Sequence, residues 1–195
     1  MVTERLVFLQ SNSITEFMNI IVKPYGSDLC HCRPDTTWER ENRDFYSPEC
    51  VNEVLWTPII FARVSKAGKC IGRKFAERYY DGVGCGMLMY CVTSEMQTTS
   101  CADHTSVLPM PLYDPVVLEG VKNFEANGSS ILLDDAKNML EDALCNASKM
   151  TSIRIGDFVA VELSPLTHLA SRNEDNVTAR GSFCDNESFN FKIIF

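Results

Sequence analysis

Two long apolar runs on either side of an amphipathic stretch dominate the hydrophobic pattern. Residues 54–64 and 83–92 are apolar at successive positions, which is typical of strands buried on both faces. Between them, residues 65–69 predict a tight turn, and residues 71–81 have helical spacing that ends at Gly82. We therefore expect a strand, a helix and a second strand at the centre of the chain.

Short strands and turns are predicted for most of the rest. The Asn-Gly pair at residues 127–128 predicts a hairpin. Residues 134–147 have the clearest helical pattern, with Asp134 and Asp135 at the start, where the helix dipole favours negative charge. Three prolines keep residues 107–118 extended or turning. Further strands are predicted at residues 5–10, 153–162, 178–182 and 188–195, a short helix at residues 14–22, and loops at residues 93–106 and 171–176.

The element pattern and the composition narrow the class of protein. Many short strands, few helices and no alternation of strand and helix indicate a mainly β, mixed α+β fold, which at 195 residues fits one domain over residues 1–195. A net charge of −8 argues against nucleic-acid and anionic-membrane partners. No apolar run is long enough to cross a bilayer, and no signal peptide is evident, so we expect a cytoplasmic protein.

The chain contains nine cysteines, several of them inside apolar runs. Cys85 and Cys91 are typical of small buried residues in a reducing compartment. Cys30 and Cys32 are two residues apart, so in a strand they would point to one side, and we expect that side to be the core. Free thiols are favoured over a structural zinc site.

The cysteines and histidines also include the ligand types of a zinc site. The Cys-His-Cys run at residues 30–32 lacks the usual spacing of a zinc knuckle, and Cys101 and His104 lie in a predicted loop. A Cys/His nucleophilic pair would need His31, His104 or His168 beside a thiol, and no signature surrounds any of them.

Several segments carry motifs in one consistent order along the chain. They are residues 33–36 (Arg-Pro-Asp-Thr), 45–48 (Phe-Tyr-Ser-Pro), 65–81, 153–159 and 189–193, together with Gly181. In this order they resemble the fumarylacetoacetate hydrolase-like family over most of the chain, most weakly at residues 93–122.

The resemblance implies twisted β-sheets curled around a central pocket, with a few short helices, usually in a homodimer. Enzymes of that family cleave C–C bonds in acylpyruvates and β-diketones, or decarboxylate or isomerise related keto acids, with Mg²⁺ or Mn²⁺. Such a hard cation requires about six oxygen ligands, several from carboxylates.

At the ligand positions this chain departs from the family pattern. The Glu-x-Glu ligand pair corresponds to Thr57 and Ile59, and the Asp ligand corresponds to Leu88. An alternative alignment with an insertion would place a carboxylate at Glu53 and still leave Leu55 as the second residue of the pair. Neither alignment supplies the oxygens that Mg²⁺ requires.

The other functional motifs of the family are changed as well. The family's His base lies in a segment that corresponds to residues 12–16, its Lys falls near Pro111 with residues 113–114 still recognisable, and its Ala-Arg-Asp corresponds to residues 91–93. Its Thr-Gly-Thr-Pro loop corresponds to residues 162–165, with one residue inserted.

These departures favour a non-catalytic protein, a pseudoenzyme with a role in binding or interaction, without cofactor and with an unidentified small molecule as its ligand. The alternative is a divergent hydrolase or decarboxylase of acylpyruvate-like substrates, with Mg²⁺ or Mn²⁺ held by rebuilt ligands such as Glu53, Asp114 or Glu162. A zinc-stabilised binding module is a third hypothesis. Asp157 and Glu162 are also candidates for a lone acid, although Asp157 is expected to serve a turn.

Overall fold

The computed structural model describes residues 18–120 and 122–195, and strands make up the largest part of its regular structure. In chain order the strands are β1 (Ile20–Lys23), β2 (His31–Arg33), β3 (Trp38–Glu39), β4 (Phe45–Tyr46), β5 (Val51–Val64), β6 (Tyr80–Thr93), β7 (Thr98–Thr99), β8 (Ser106–Val107), β9 (Asn123–Ala126), β10 (Ser129–Leu132), β11 (Phe158–Glu162), β12 (Thr167–Ser171), β13 (Val177–Phe183) and β14 (Asn186–Ile194). The helices are α1 (Ala136–Met150) and three 3₁₀ helices, Asp35–Thr37, Arg73–Arg78 and Pro115–Leu118.

A long hairpin of β5 and β6 forms the centre of the larger sheet. Both strands have 14 residues and pair antiparallel from Val51 and Thr93 to Val64 and Tyr80. The order of the sheet is β2-β1-β11-β5-β6-β8-β3, with β12 added to β5 and β7 to β6. The prediction of two buried strands is confirmed, because both strands are covered on both faces.

The smaller sheet has the order β10-β9-β13-β14-β4. Its β9–β10 hairpin turns at Asn127 and Gly128, which have φ angles of 47° and 80°. Two successive positive φ angles are those of a type I′ turn, as the Asn-Gly pair predicts. The closing strands predicted near the end of the chain are confirmed by β13 and β14.

The main hydrophobic core lies between the two sheets and α1. Met87 and Met89 of β6 share one cluster with Phe124 and Phe189 of the smaller sheet and with Leu140 of α1. The helix confirms the prediction for residues 134–147 and continues three residues further, to Met150. Among the described residues, no helix has the length and apolar character needed to cross a membrane.

Two predicted helices are wrong in part. Residues 20–22 of the predicted helix at 14–22 are in β1, because pairing with β2 and β11 overrides the local helical spacing. Residues 14–17 of that helix, like the predicted strand at 5–10, lie outside the described residues. Of the helix predicted over residues 71–81, only the 3₁₀ helix Arg73–Arg78 forms. Gly82 lies inside β6 and does not end a helix.

The mixed α+β fold class is confirmed. The sequence did not indicate β12, which pairs with the first half of β5. Of the predicted strand pair at residues 153–162, only β11 forms as a strand, and Ile153 makes a single bridge to Gly68.

Candidate functional site

One face of the larger sheet brings together the positions where the resemblance places metal ligands. Thr57 of β5 is paired with Leu88 of β6, and Ile59 of β5 is paired with Glu162 of β11. Side chains alternate between the faces of a sheet, so these four residues point to the same side. We call this side the pocket face.

Hydrophobic side chains fill the pocket face around the ligand positions. Ile59 and Leu88 are both 0% exposed and share a cluster with Phe61 and Phe158. The Phe61 and Phe158 rings meet edge to face with centroids 5.8 Å apart. Opposite Phe61 stands Gly84, where a Cβ atom would lie 2.6 Å from the ring. A glycine on β6 therefore makes room for the aromatic side chain.

The hydroxyl of Thr57 makes a hydrogen bond that holds a loop in place. Its hydroxyl donates to the backbone carbonyl of Ser164 at 2.8 Å, and the Leu163 N–H donates to the carbonyl of Pro58 at 2.9 Å. These bonds fasten the loop after β11 to β5. Ile59 and Leu88 offer no oxygen to a cation, so the three ligand positions do not fit Mg²⁺ or Mn²⁺.

Glu162 is a buried carboxylate beside the ligand positions on the pocket face. It is 5% exposed, and each of its oxygens accepts a hydrogen bond, one from the Tyr90 hydroxyl at 2.5 Å and one from the Tyr25 backbone N–H at 2.9 Å. Burial, and then the bond to Glu162, raise the pKa of Tyr90, so its hydroxyl keeps the proton that it donates.

A buried arginine supplies positive charge beside this pair. Arg33 of β2 is 1% exposed and donates to the carbonyls of Met89 at 2.5 Å and Thr105 at 3.0 Å, and to the hydroxyl of Ser106 at 2.8 Å. Its guanidinium stacks over the Tyr90 ring, 4.6 Å from the centroid. Burial lowers the pKa of Arg33, and electrostatic interactions with Tyr90 and Glu162 act in the opposite direction.

Sequence reasoning missed the roles of Arg33 and Tyr90. Arg33 entered only as part of a family motif, and Tyr90 only as one residue of an apolar run. A tyrosine in such a run carries a hydroxyl that needs a partner once it is buried, and this signal pointed to a polar site. His31, also on β2, is half-buried, and burial lowers its pKa.

The carboxylates considered as rebuilt ligands lie apart. Glu53 is hydrogen-bonded to His168 at 2.7 Å and is six residues from Ile59 on β5, about 20 Å along an extended strand. Asp114 caps a 3₁₀ helix by accepting from the Val116 N–H at 2.9 Å. Residues 18–120 and 122–195 contain no group of three or more His, Cys, Asp or Glu side chains that could hold a metal ion.

The cysteines and histidines considered as zinc ligands do not form such a group among the described residues either. Cys32 and Cys101 are exposed, Cys30 is half-buried, and His104 is bonded to Glu39 at 3.0 Å. The prediction of core-facing cysteines on β2 is wrong for Cys32, because β2 is an edge strand and leaves that side chain open to solvent. None of the nine cysteines, all of which lie among the described residues, forms a disulfide.

The remaining acidic candidates have structural roles. Asp157 is buried and accepts from the backbone N–H groups of Asn19 and Arg154, each at 2.8 Å, as expected for a turn. Asp134 and Asp135 directly precede α1, where their charge favours the start of the helix.

Comparison with known proteins identifies the fold. No protein-family model matches the chain, and no curated protein matches it in sequence. Fumarylpyruvate hydrolase from Pseudomonas aeruginosa, solved with Mn²⁺ and pyruvate, is 12% identical and superposes with a TM-score of 0.74 over 95% of this chain and 93% of that one. The 5-carboxymethyl-2-hydroxymuconate delta-isomerase from Mycobacterium smegmatis is 13% identical, with a TM-score of 0.70 over 91% of this chain and 79% of that one.

A third structure, described as a fumarylacetoacetate hydrolase family protein from Yersinia pestis CO92, is 10% identical. It gives a TM-score of 0.69 over 92% of this chain and 93% of that one. The chain therefore has the fumarylacetoacetate hydrolase-like fold, as the resemblance predicts.

Proposed function

We propose that this chain is a non-catalytic protein with the fumarylacetoacetate hydrolase-like fold and that it acts through binding or interaction. One observation carries the proposal. Ile59 and Leu88 stand where the resemblance places carboxylate ligands, and both are fully buried in a hydrophobic cluster. An isoleucine and a leucine cannot replace the oxygen ligands of a divalent cation.

The polar groups of the pocket face support the same conclusion. Chemistry on a 1,3-dicarbonyl in this fold, as the resemblance implies, uses a cation that chelates the substrate and stabilises an enolate. Glu162 lies beside Ile59, and its two oxygens already accept bonds from Tyr90 and Tyr25. Arg33 donates through its two terminal nitrogens to neighbouring carbonyl and hydroxyl oxygens, and its Nε atom is buried without a hydrogen-bond partner among the described residues.

Calorimetric titration with Mn²⁺ and Mg²⁺, each with and without oxalate as an enolate mimic, tests the proposal. The Pseudomonas aeruginosa hydrolase, which was solved with Mn²⁺, is the positive control. We expect no binding heat from this chain, while a cooperative melting curve establishes that the sample is folded. Binding of Mn²⁺ that oxalate tightens would mean that the pocket holds a metal, and the proposal would be wrong.

A divergent hydrolase or decarboxylase acting on acylpyruvate-like or keto-acid substrates is the second candidate. The buried Tyr90–Glu162 pair favours it, since the pair keeps a carboxylate and a hydroxyl together on the face where the resemblance places the chemistry. Turnover of oxaloacetate or an acylpyruvate that Glu162→Gln abolishes would establish this candidate. Glu95→Gln, at an exposed residue outside the pocket face, is the matched control.

The proposal includes the assembly and location expected from the sequence, namely a cytoplasmic homodimer of single-domain chains. Size-exclusion chromatography with light scattering should give about twice the chain mass of 21.9 kDa. A mass of one chain at micromolar concentration would contradict the homodimer and leave the assignment of the pocket unaffected.

A further inference from the structure

A cleft of about 650 Å³ is lined by residues of both sheets. Side chains from β5, β12 and β13 and the β9–β10 turn line it. Its residue from β5 is Trp56, which points to the side opposite Thr57 because neighbouring residues of a strand face opposite ways. The cleft shares none of its lining residues with the hydrophobic cluster around Ile59 and Leu88.

Trp56 forms the floor of the cleft. The side chain is only 7% exposed, yet its indole N–H has no hydrogen-bond partner among the described residues, and it is not among the nitrogen atoms sealed off from solvent. The other indole behaves differently, since Trp38 donates to the carbonyl of Leu108 at 3.1 Å. An indole N–H that is open to solvent and has no protein acceptor can donate to a ligand. The floor of the cleft thus offers a donor to a ligand.

Arg180 of β13 supplies a cation at the same cleft. Its backbone is fixed to the hairpin turn, because its N–H donates to the Asn127 side-chain oxygen at 2.9 Å and its carbonyl accepts from the Asn127 N–H at 2.8 Å. Its guanidinium has no ion pair among the described residues, in a chain of net charge −8. His168, also in the lining, is already held by Glu53 and Glu174.

We propose that this cleft binds a small organic carboxylate with a flat apolar body. Arg180 pairs with the carboxylate, since a guanidinium matches the geometry of two carboxylate oxygens. The indole of Trp56 and the side chain of Leu169 receive the apolar body, and the indole N–H is a further donor. This site does not depend on whether the pocket face is catalytic.

Benzoate is the probe that tests the site on the ¹⁵N-labelled full chain. The two tryptophans give two indole N–H signals, and Trp56→Phe identifies the signal of Trp56 by removing it. We expect benzoate to shift the Trp56 signal saturably and to leave the signal of Trp38 in place. Benzamide has the same shape without the charge and should bind at least about tenfold more weakly, as loss of a charged hydrogen bond implies.

A pair of arginine variants separates a specific site from general attraction of anions. Arg180→Gln should weaken benzoate about tenfold or more. Arg154→Gln changes an exposed arginine outside the cleft and should bind benzoate like the unmodified chain. The proposal is overturned if benzoate moves neither indole signal or both equally, if benzamide matches benzoate, or if Arg180→Gln has no effect.

Discussion

The hydroxyl of Tyr90 on β6 donates a 2.5 Å hydrogen bond to the Glu162 carboxylate on β11, and β5 runs between these two strands. The bond therefore spans the central strand of the larger sheet. It ties the neighbours of β5 together on the face where the resemblance places a metal. Arg33, Tyr90 and Glu162 form a polar network on this face, and the stability of the face should depend on their side chains.

Removal of the Tyr90 hydroxyl should destabilise the fold. In Tyr90→Phe one oxygen of a buried carboxylate loses its donor, which costs about 1–3 kcal/mol of the free energy of unfolding. Urea denaturation followed by circular dichroism measures the loss. Tyr25→Phe is the matched control, because Tyr25 contacts Glu162 through its backbone N–H and its ring is 55% exposed. Equal stabilities of the two variants would contradict the role of the hydroxyl.

Replacement of Arg33 should have a larger effect. Arg33→Met leaves the carbonyls of Met89 and Thr105 without their guanidinium donors and removes the charge near Glu162. We expect a loss of about 3–5 kcal/mol, as for breaking a buried charged network. Arg154→Met, at an exposed position, should change the stability by less than about 0.5 kcal/mol. A loss below about 1 kcal/mol for Arg33→Met would show that the network contributes little.

Gly84 should be intolerant of a side chain. In Gly84→Ala the new Cβ would lie 2.6 Å from the Phe61 ring, and overpacking of this kind costs about 1–3 kcal/mol. Phe61→Leu in the same chain should recover part of that loss, which a double-mutant cycle by thermal unfolding measures. Gly72→Ala is the control, since its nearest neighbour would be 3.8 Å away. Additive effects of the two changes would argue against direct contact.

His168 should make the stability of the β5–β12 region depend on pH. Both ring nitrogens face carboxylates, Glu53 at 2.7 Å and Glu174 at 3.0 Å, and these bonds raise the pKa of His168, with Glu53 the larger cause. A raised pKa in the folded state means that the contribution is complete below the unfolded value of about 6.5. It is lost as the pH rises through the folded value.

An NMR titration of the His168 ring protons checks this direction. Glu53→Gln should lower the pKa of His168, because it removes the larger of the two causes. Glu95→Gln, at an exposed residue without a hydrogen bond to His168, should leave it unchanged. If His168 titrates at its ordinary value in the unmodified chain, the two carboxylates do not hold the imidazolium.

The sequence was sufficient for the elements whose pattern is local. The apolar runs of β5 and β6, the Asn-Gly turn at residues 127–128 and the apolar face of α1 each indicate one structure within a short window. The predictions for residues 20–22 and for Gly82 were wrong because strand pairing decided both.

The polar network could not be predicted because it depends on pairings between distant residues. The parallel pair of β1 and β11 joins Ile20 to Phe158, and β2 reaches the pocket face only through β1. No local pattern connects Arg33, Tyr90 and Glu162. The lack of carboxylates at the ligand positions could be predicted from the sequence. The resemblance assigns these positions to Thr57, Ile59 and Leu88, and none of these side chains has a carboxylate.

The positive charge next to Tyr90 is the guanidinium of Arg33, which is part of the polypeptide and not a bound ion. A bound metal ion stabilises a fold by an amount that depends on its free concentration. Arg33 is present once in every copy of the chain, so its contribution does not change with the supply of divalent ions. On the proposal that the pocket holds no divalent cation, we expect the folded fraction of this protein to be the same in a cell depleted of manganese and magnesium as in one that is rich in both.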